Sequence, residues 1–118
     1  MQRDEGFLLD MLIAVRDAEQ FLEELSLREF EESRLHQSAV IKVLEIIGEA
    51  ANRISEGNRQ IYSEIPWNSI IGMRNRLVHG YLDVDLKRVW NTVKNDIPPL
   101  IATLDAIVPT ESSDDKQI

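Results

Sequence analysis

Apolar residues recur at helical spacing almost from the start of the chain. From Phe7 they run Leu8, Met11, Leu12, Val15, Ala18, Phe21, Leu22 and Leu25. Steps of three and four mark one face of an amphipathic helix of about six turns. "SLRE" at 26–29 places Ser26 three residues ahead of Glu29, the spacing of a capping box, and predicts a short second helix. Ser33 is placed to cap a third. That third helix has the densest pattern: Ala39, Val40, Val43, Leu44, Ile46, Ile47, Ala50, Ala51 and Ile54. Two adjacent apolar columns form a stripe too wide for one neighbour, which predicts a central helix. Gly48 falls inside the stripe, where a missing side chain permits a close helix crossing at some cost in propensity. "EGN" at 56–58 is read as the end of this helix.

"IPWNS" at 65–69 introduces the next helix, with Pro66 setting the entry and Asn68 or Ser69 available as a cap. It carries Ile70, Ile71, Met73, Leu77 and Val78 and meets Gly80, a natural stop. Asp83 or Asp85 is placed to cap a last long helix through Leu86, Val89, Trp90 and Val93. Pro98 and Pro99 must kink or break that helix, since each lacks a donor and clashes one turn back. Apolar positions resume at Leu100, Ile101, Leu104 and Ile107. No strand pattern, repeat or low-complexity tract interrupts the series. The expectation is an all-α, up-and-down bundle of four to five helices over residues 1–109, with a disordered acidic tail at 110–118.

Composition narrows the function classes. The chain has 118 residues, enough for one core, and 43% are hydrophobic, too many for a disordered segment. There is no cysteine, so disulfides and thiolate metal sites are excluded. "MQRDEGFLLDML" has acids ahead of and within its apolar stretch, unlike a secretory signal. No apolar run approaches the roughly 20 residues that span a bilayer. A cytoplasmic protein without membrane contact is expected. The formal net charge of −8 argues against a general nucleic-acid coat. Its distribution is uneven: residues 1–32 carry −7, residues 33–70 balance, residues 71–95 carry +3 and residues 96–118 carry −4.

The positive block contains the chain's most reactive side chains, in "GMRNRLVHGY" at 72–81. On a straight helix Arg74 and His79 lie about 140° apart, at roughly 100° per residue, and do not share a face well. Asn75 and His79, at i and i+4, do. His79 can take and return a proton near neutral pH, and Arg74 offers a permanently charged fork suited to a phosphate. Taken alone, the same residues also fit a plain helix end, where arginines and a histidine are common. His36 and His79 are the only histidines, and no H-E-x-x-H or paired-carboxylate spacing surrounds them. His36 is read as solvent-facing or locally bonded. There is no Gly-rich phosphate loop and no nucleophile elbow. Trp67 and Trp90 are read as packing anchors.

"RNRLVHGY" fits R-x-x-x-x-H-x-Y, with Arg74, His79 and Tyr81 in the fixed places. The flanking stretches "FLLDMLIAV", "AVIKVLEIIGEAA" and "IPWNSIIGMRNRLVHGYLDVDLKRVW" follow in the matching order. Over nearly its whole length the chain resembles the HepT-like branch of the HEPN superfamily. The resemblance implies a helical bundle that dimerises through its motif-bearing helices, so that two motifs line one cleft. It implies metal-independent endonucleolytic cleavage of RNA (tRNA or mRNA) without a cofactor. Arg74 and His79 would be catalytic, Asn75 supporting, and Arg76 an RNA contact. It further implies a toxin of a type VII-like toxin–antitoxin pair. The cognate minimal nucleotidyltransferase antitoxin would silence it by transferring AMP to Tyr81, and assembly beyond the dimer stays open. The alternative is a non-catalytic HEPN subunit that binds nucleotide or substrate for a partner nucleotidyltransferase. A plain helical interaction module would leave the motif unexplained.

Overall fold

The computed structural model describes residues 2–80 and 84–108. Tyr81, Asp83 and the expected tail lie outside them. The described residues are helical and contain no strand. In order they form α1 (Gln2–Leu22), α2 (Leu27–Glu31), α3 (Arg34–Arg53), α4 (Glu56–Ile61), α5 (Trp67–His79) and α6 (Leu86–Asn91), then a π-helical turn (Thr92–Asp96) and α7 (Ile97–Ile107). None is long and apolar enough to cross a membrane.

Packing follows the apolar stripes. α3 lies between α1 and α5, as its wide stripe requires, and α1 also packs on α7. Met11, Val15, Ala18, Phe30, Val40 and Leu104 are fully enclosed. Trp67 is buried and its indole N–H is shared between the Arg59 and Tyr62 carbonyls, both at 3.1 Å. Trp90 is half-buried, its ring 5.8 Å from that of Phe30. Both tryptophans are packing anchors.

Several helix ends are as the pattern predicts. Ser26 and Glu29 form the capping box around α2. The Ser33 hydroxyl accepts from the His36 N–H and also bonds the His36 ring at Nδ1 (2.6 Å), which places His36 in a local polar contact. Asp85 caps α6.

Three ends differ. α3 stops at Arg53, and "EGN" is the first turn of α4, a helix the apolar pattern missed because only Ile61 in it is aliphatic; its cap is Ser55. Neither Asn68 nor Ser69 caps α5: Pro66 is the cap residue, no side chain bonds there, and the Trp67 indole ties down the entry. Pro98 and Pro99 do not break the last helix. They occupy the first turn of α7 after the π turn, where the Ile97 N–H reaches Thr92 O. The wider turn absorbs the register in which two prolines supply no donor. It also carries Lys94, whose ammonium caps the end of α1 at Leu22 O (2.9 Å) and lies 4.7 Å from the centre of the Trp90 ring.

One buried charge fastens the bundle's end. Asp4 in α1 is 4% exposed and accepts from the Ser55 hydroxyl and the Asn58 amide, both at 2.6 Å, and from the Ser55 N–H. The Ser55 hydroxyl bond, helped by the Asn58 side-chain amide and the Ser55 backbone N–H, outweighs the desolvation that acts in the opposite direction and holds the carboxyl below its ordinary value of 3.8. A lowered folded-state pKa stabilises the fold above the unfolded value. That contribution is lost as pH falls through the folded value. Asp4→Asn is therefore expected to cost about 2 kcal/mol at neutral pH in urea unfolding. The cost should shrink on acidification below about pH 4, the ordinary carboxylate range. Equal loss at every pH would remove the charge from the explanation.

Candidate active site

α5 carries Arg74, Asn75, Arg76 and His79 of the motif, and its placement depends on α3. Trp67 and Leu77 are buried and Ile70 and Met73 pack against the core, so the motif residues alternate around a helix with one fixed face. The crossing point is Gly48. A Cβ there would sit inside the van der Waals envelope of Arg74 Cβ, 2.7 Å from Arg74 Cγ and 3.3 Å from Ile70 O. The glycine thus lets the stem of Arg74 rest directly on α3.

The guanidinium is held at both ends. Its Nη1 donates to Asn75 Oδ1 at 3.2 Å and its Nη2 donates to Glu49 Oε2 at 3.4 Å, while Nε is buried with no partner. The side chain is 30% exposed, so its tip reaches solvent while its stem does not.

His79 is the last residue of α5 and is exposed. Gly80 ends the helix, donating to Arg76 O at 2.9 Å. Its φ of −124° is ordinary, and glycine matters here because a Cβ would approach Arg76 O to 3.1 Å. His79 lines a hollow of about 430 Å³ together with Arg76 on α5 and Val84, Asp85 and Arg88 on the far side. A longer trough of about 650 Å³ continues between α5 and the α6–α7 rod, floored by Ile70, Met73, Ile97 and Leu100 and sharing Arg76 and Arg88. Neither arginine has a carboxylate within ion-pair distance among the described residues.

Arg74 and His79 are not brought together within one chain. Arg74 leans on α3 and His79 faces the hollow, and no hydrogen bond joins His79 to Arg74 or Asn75 among the described residues. Asn75 serves Arg74 in this chain and not the histidine that its i,i+4 spacing suggests. Sequence reasoning missed Glu49. The available signal was an acid next to a glycine, interrupting the apolar stripe of α3. No group of three or more His, Asp or Glu side chains among the described residues is arranged to hold a metal ion.

The chain matches the family described as "Ribonuclease HepT-like" over residues 11–107. It belongs to that family. The resemblance drawn from the motif and its flanks is thereby upheld, as is the all-helical HEPN-type fold. "Probable ribonuclease HepT" of Thermococcus cleftensis is 40% identical over 96 residues, covering 81% of this chain and 87% of that protein. "Putative RNase MJ1380" of Methanocaldococcus jannaschii is 35% identical over 96 residues, covering 81% and 88%. "Putative RNase MJ0125" of the same organism is 36% identical over 104 residues, covering 88% and 90%. No solved structure matches the chain. The enzyme class of this HepT-like chain is that of its family, ribonuclease.

The contact at Gly48 makes a direct test. Gly48→Ala is expected to push α5 off α3 and to destabilise the fold by about 1–3 kcal/mol in chemical denaturation, despite the better helix propensity of alanine. Unchanged or raised stability would show that the crossing has room to spare.

Proposed function

We propose that this HepT-like protein is a metal-independent endoribonuclease toxin that cleaves tRNA or mRNA. Support comes from one arrangement in a chain of this family. Arg74 is seated on α3 with its guanidinium tip toward solvent, and His79 stands exposed at the end of the same helix. In this reading His79 removes the proton of a ribose 2′-hydroxyl or returns one to the departing 5′-oxygen. The 2′-oxygen attacks phosphorus as the bond to the 5′-oxygen breaks. Arg74 binds the phosphate oxygens, where charge builds in the transition state. Asn75 holds the Arg74 guanidinium, and Arg76 contacts RNA along the neighbouring hollow.

Arg74 and His79 diverge around α5, so the proposal includes a homodimer through the motif-bearing helices. There the His79 of one copy faces the Arg74 of the other. It also includes silencing by a minimal nucleotidyltransferase antitoxin that transfers AMP to the Tyr81 hydroxyl. A nucleotide on that residue, two positions beyond His79 in sequence, adds negative charge and bulk and repels RNA. The net charge of −8 is what favours the second reading, a non-catalytic subunit serving a nucleotidyltransferase, because it opposes the approach of RNA.

Purified protein incubated with total RNA in EDTA decides between them. The wild type is expected to cut RNA and spare DNA, and His79→Ala to lose about 100-fold or more. Arg74→Lys should also fall well below wild type, since an ammonium cannot reproduce the bidentate fork. Cleavage by His79→Ala at the wild-type rate would remove the histidine from the chemistry. Folded wild type that cuts nothing would leave the subunit reading standing. Tyr81→Phe is expected to cleave RNA normally and to resist silencing when co-expressed with the antitoxin, scored by growth.

A further inference from the structure

Arg74 has five N–H donors, and their use in the structure is uneven. The Nε donor is buried without a partner and cannot reach a substrate. Nη1 gives one hydrogen to Asn75 and Nη2 gives one to Glu49. Each terminal nitrogen carries two hydrogens, so each keeps one. Those remaining two can be given to the oxygens of a phosphate, one from each terminal nitrogen. Where that pair points depends on the plane of the guanidinium. Gly48 fixes the stem through close contact, but contact at Cβ and Cγ does not set rotation at the far end of a long side chain. Asn75 restrains one edge from the same helix. The other edge is restrained from α3, by Glu49.

We propose that Glu49 is a positioning residue for the ribonuclease reaction. Its carboxylate, held opposite Arg74 by the α3–α5 crossing, sets the guanidinium plane so that one N–H of each terminal nitrogen faces the scissile phosphate. The inference rests on the phosphate-binding role proposed for Arg74. It also gives Glu49 a distinctive signature. Its side chain is 56% exposed, and an ion pair that open to water contributes little to stability. A carboxylate beside a phosphate site opposes RNA binding electrostatically. Glu49 therefore weakens affinity while improving alignment, and its removal should move the two in opposite directions. Loss of fold, or loss of an ordinary RNA contact, moves them together.

The test uses full-length wild type, Glu49→Ala and Glu49→Gln in two measurements. In the first, kcat is followed on an RNA substrate, and affinity is followed on a 2′-O-methylated RNA that lacks the attacking hydroxyl. Glu49→Ala is expected to lower kcat about tenfold or more, the usual scale of a small misalignment, with unchanged or tighter RNA binding and an unchanged melting temperature. Glu49→Gln keeps an acceptor for Nη2 and should recover part of kcat. Wild-type kcat in Glu49→Ala, or a fall in kcat matched by weaker RNA binding, overturns the proposal.

The second measurement needs no activity. The Arg74 Nε–H is observed by 15N NMR, where slow exchange with water is expected in the wild type and faster exchange in Glu49→Ala. Identical exchange in both overturns the positioning role. Absence of cleavage by the wild type overturns the ribonuclease reading and leaves the NMR result to decide whether Glu49 orients Arg74.

Discussion

The crossing of α3 and α5 at Gly48 is the constraint from which the candidate site follows. Helices with ordinary side chains at their contact stand apart by the bulk of those side chains. Here one side of the contact has none, and the space is taken by the aliphatic stem of Arg74. The consequence is an arginine whose first carbons belong to the core and whose tip belongs to the surface. It also puts Glu49, the next residue on α3, beside the guanidinium. A single absent Cβ thus sets the height of α5 over α3, the depth of Arg74 and the identity of its partner.

The rest of the bundle keeps that crossing in place and leaves the other side of α5 open. α1 backs α3 along its length, and the Asp4 clamp ties the start of α1 to Ser55 and Asn58, just past the end of α3. Lys94, carried on the π turn, closes the other end of α1. α5, by contrast, gains its main support from α3 alone, and a trough separates it from the α6–α7 rod. His79, Arg76 and Arg88 border that open side. One helix therefore presents an arginine toward its supporting neighbour and a histidine toward a cleft. That division motivates the proposed pairing of two copies.

Local chemistry was legible wherever it is settled within one turn of helix. Ser26 with Glu29, Ser33 and Asp85 act as caps because their partners are three residues away. The width of the α3 stripe indicated a central helix, since two apolar columns need two neighbours. The motif and its flanks carried the family, which the match over residues 11–107 upholds. Less legible were features that depend on distant parts of the chain. α4 has too few apolar residues to show a period, and its cap is shared with Asp4, 51 residues earlier. The prolines at 98 and 99 signalled disruption, but whether the helix breaks or widens depends on how it is held along α1.

By itself, then, the sequence determined most of the helical elements, the caps of α2, α3 and α6, the central place of α3 and the presence of Arg74 and His79 on one helix, because spacing along a helix dictates which side chains share a face. Only the tertiary structure decided that Gly48 receives Arg74, that Glu49 and Asn75 hold its guanidinium, and that His79 turns away into a separate hollow. Those outcomes depend on the distance and rotation between two packed helices 25 residues apart in sequence. No periodicity within either helix encodes them.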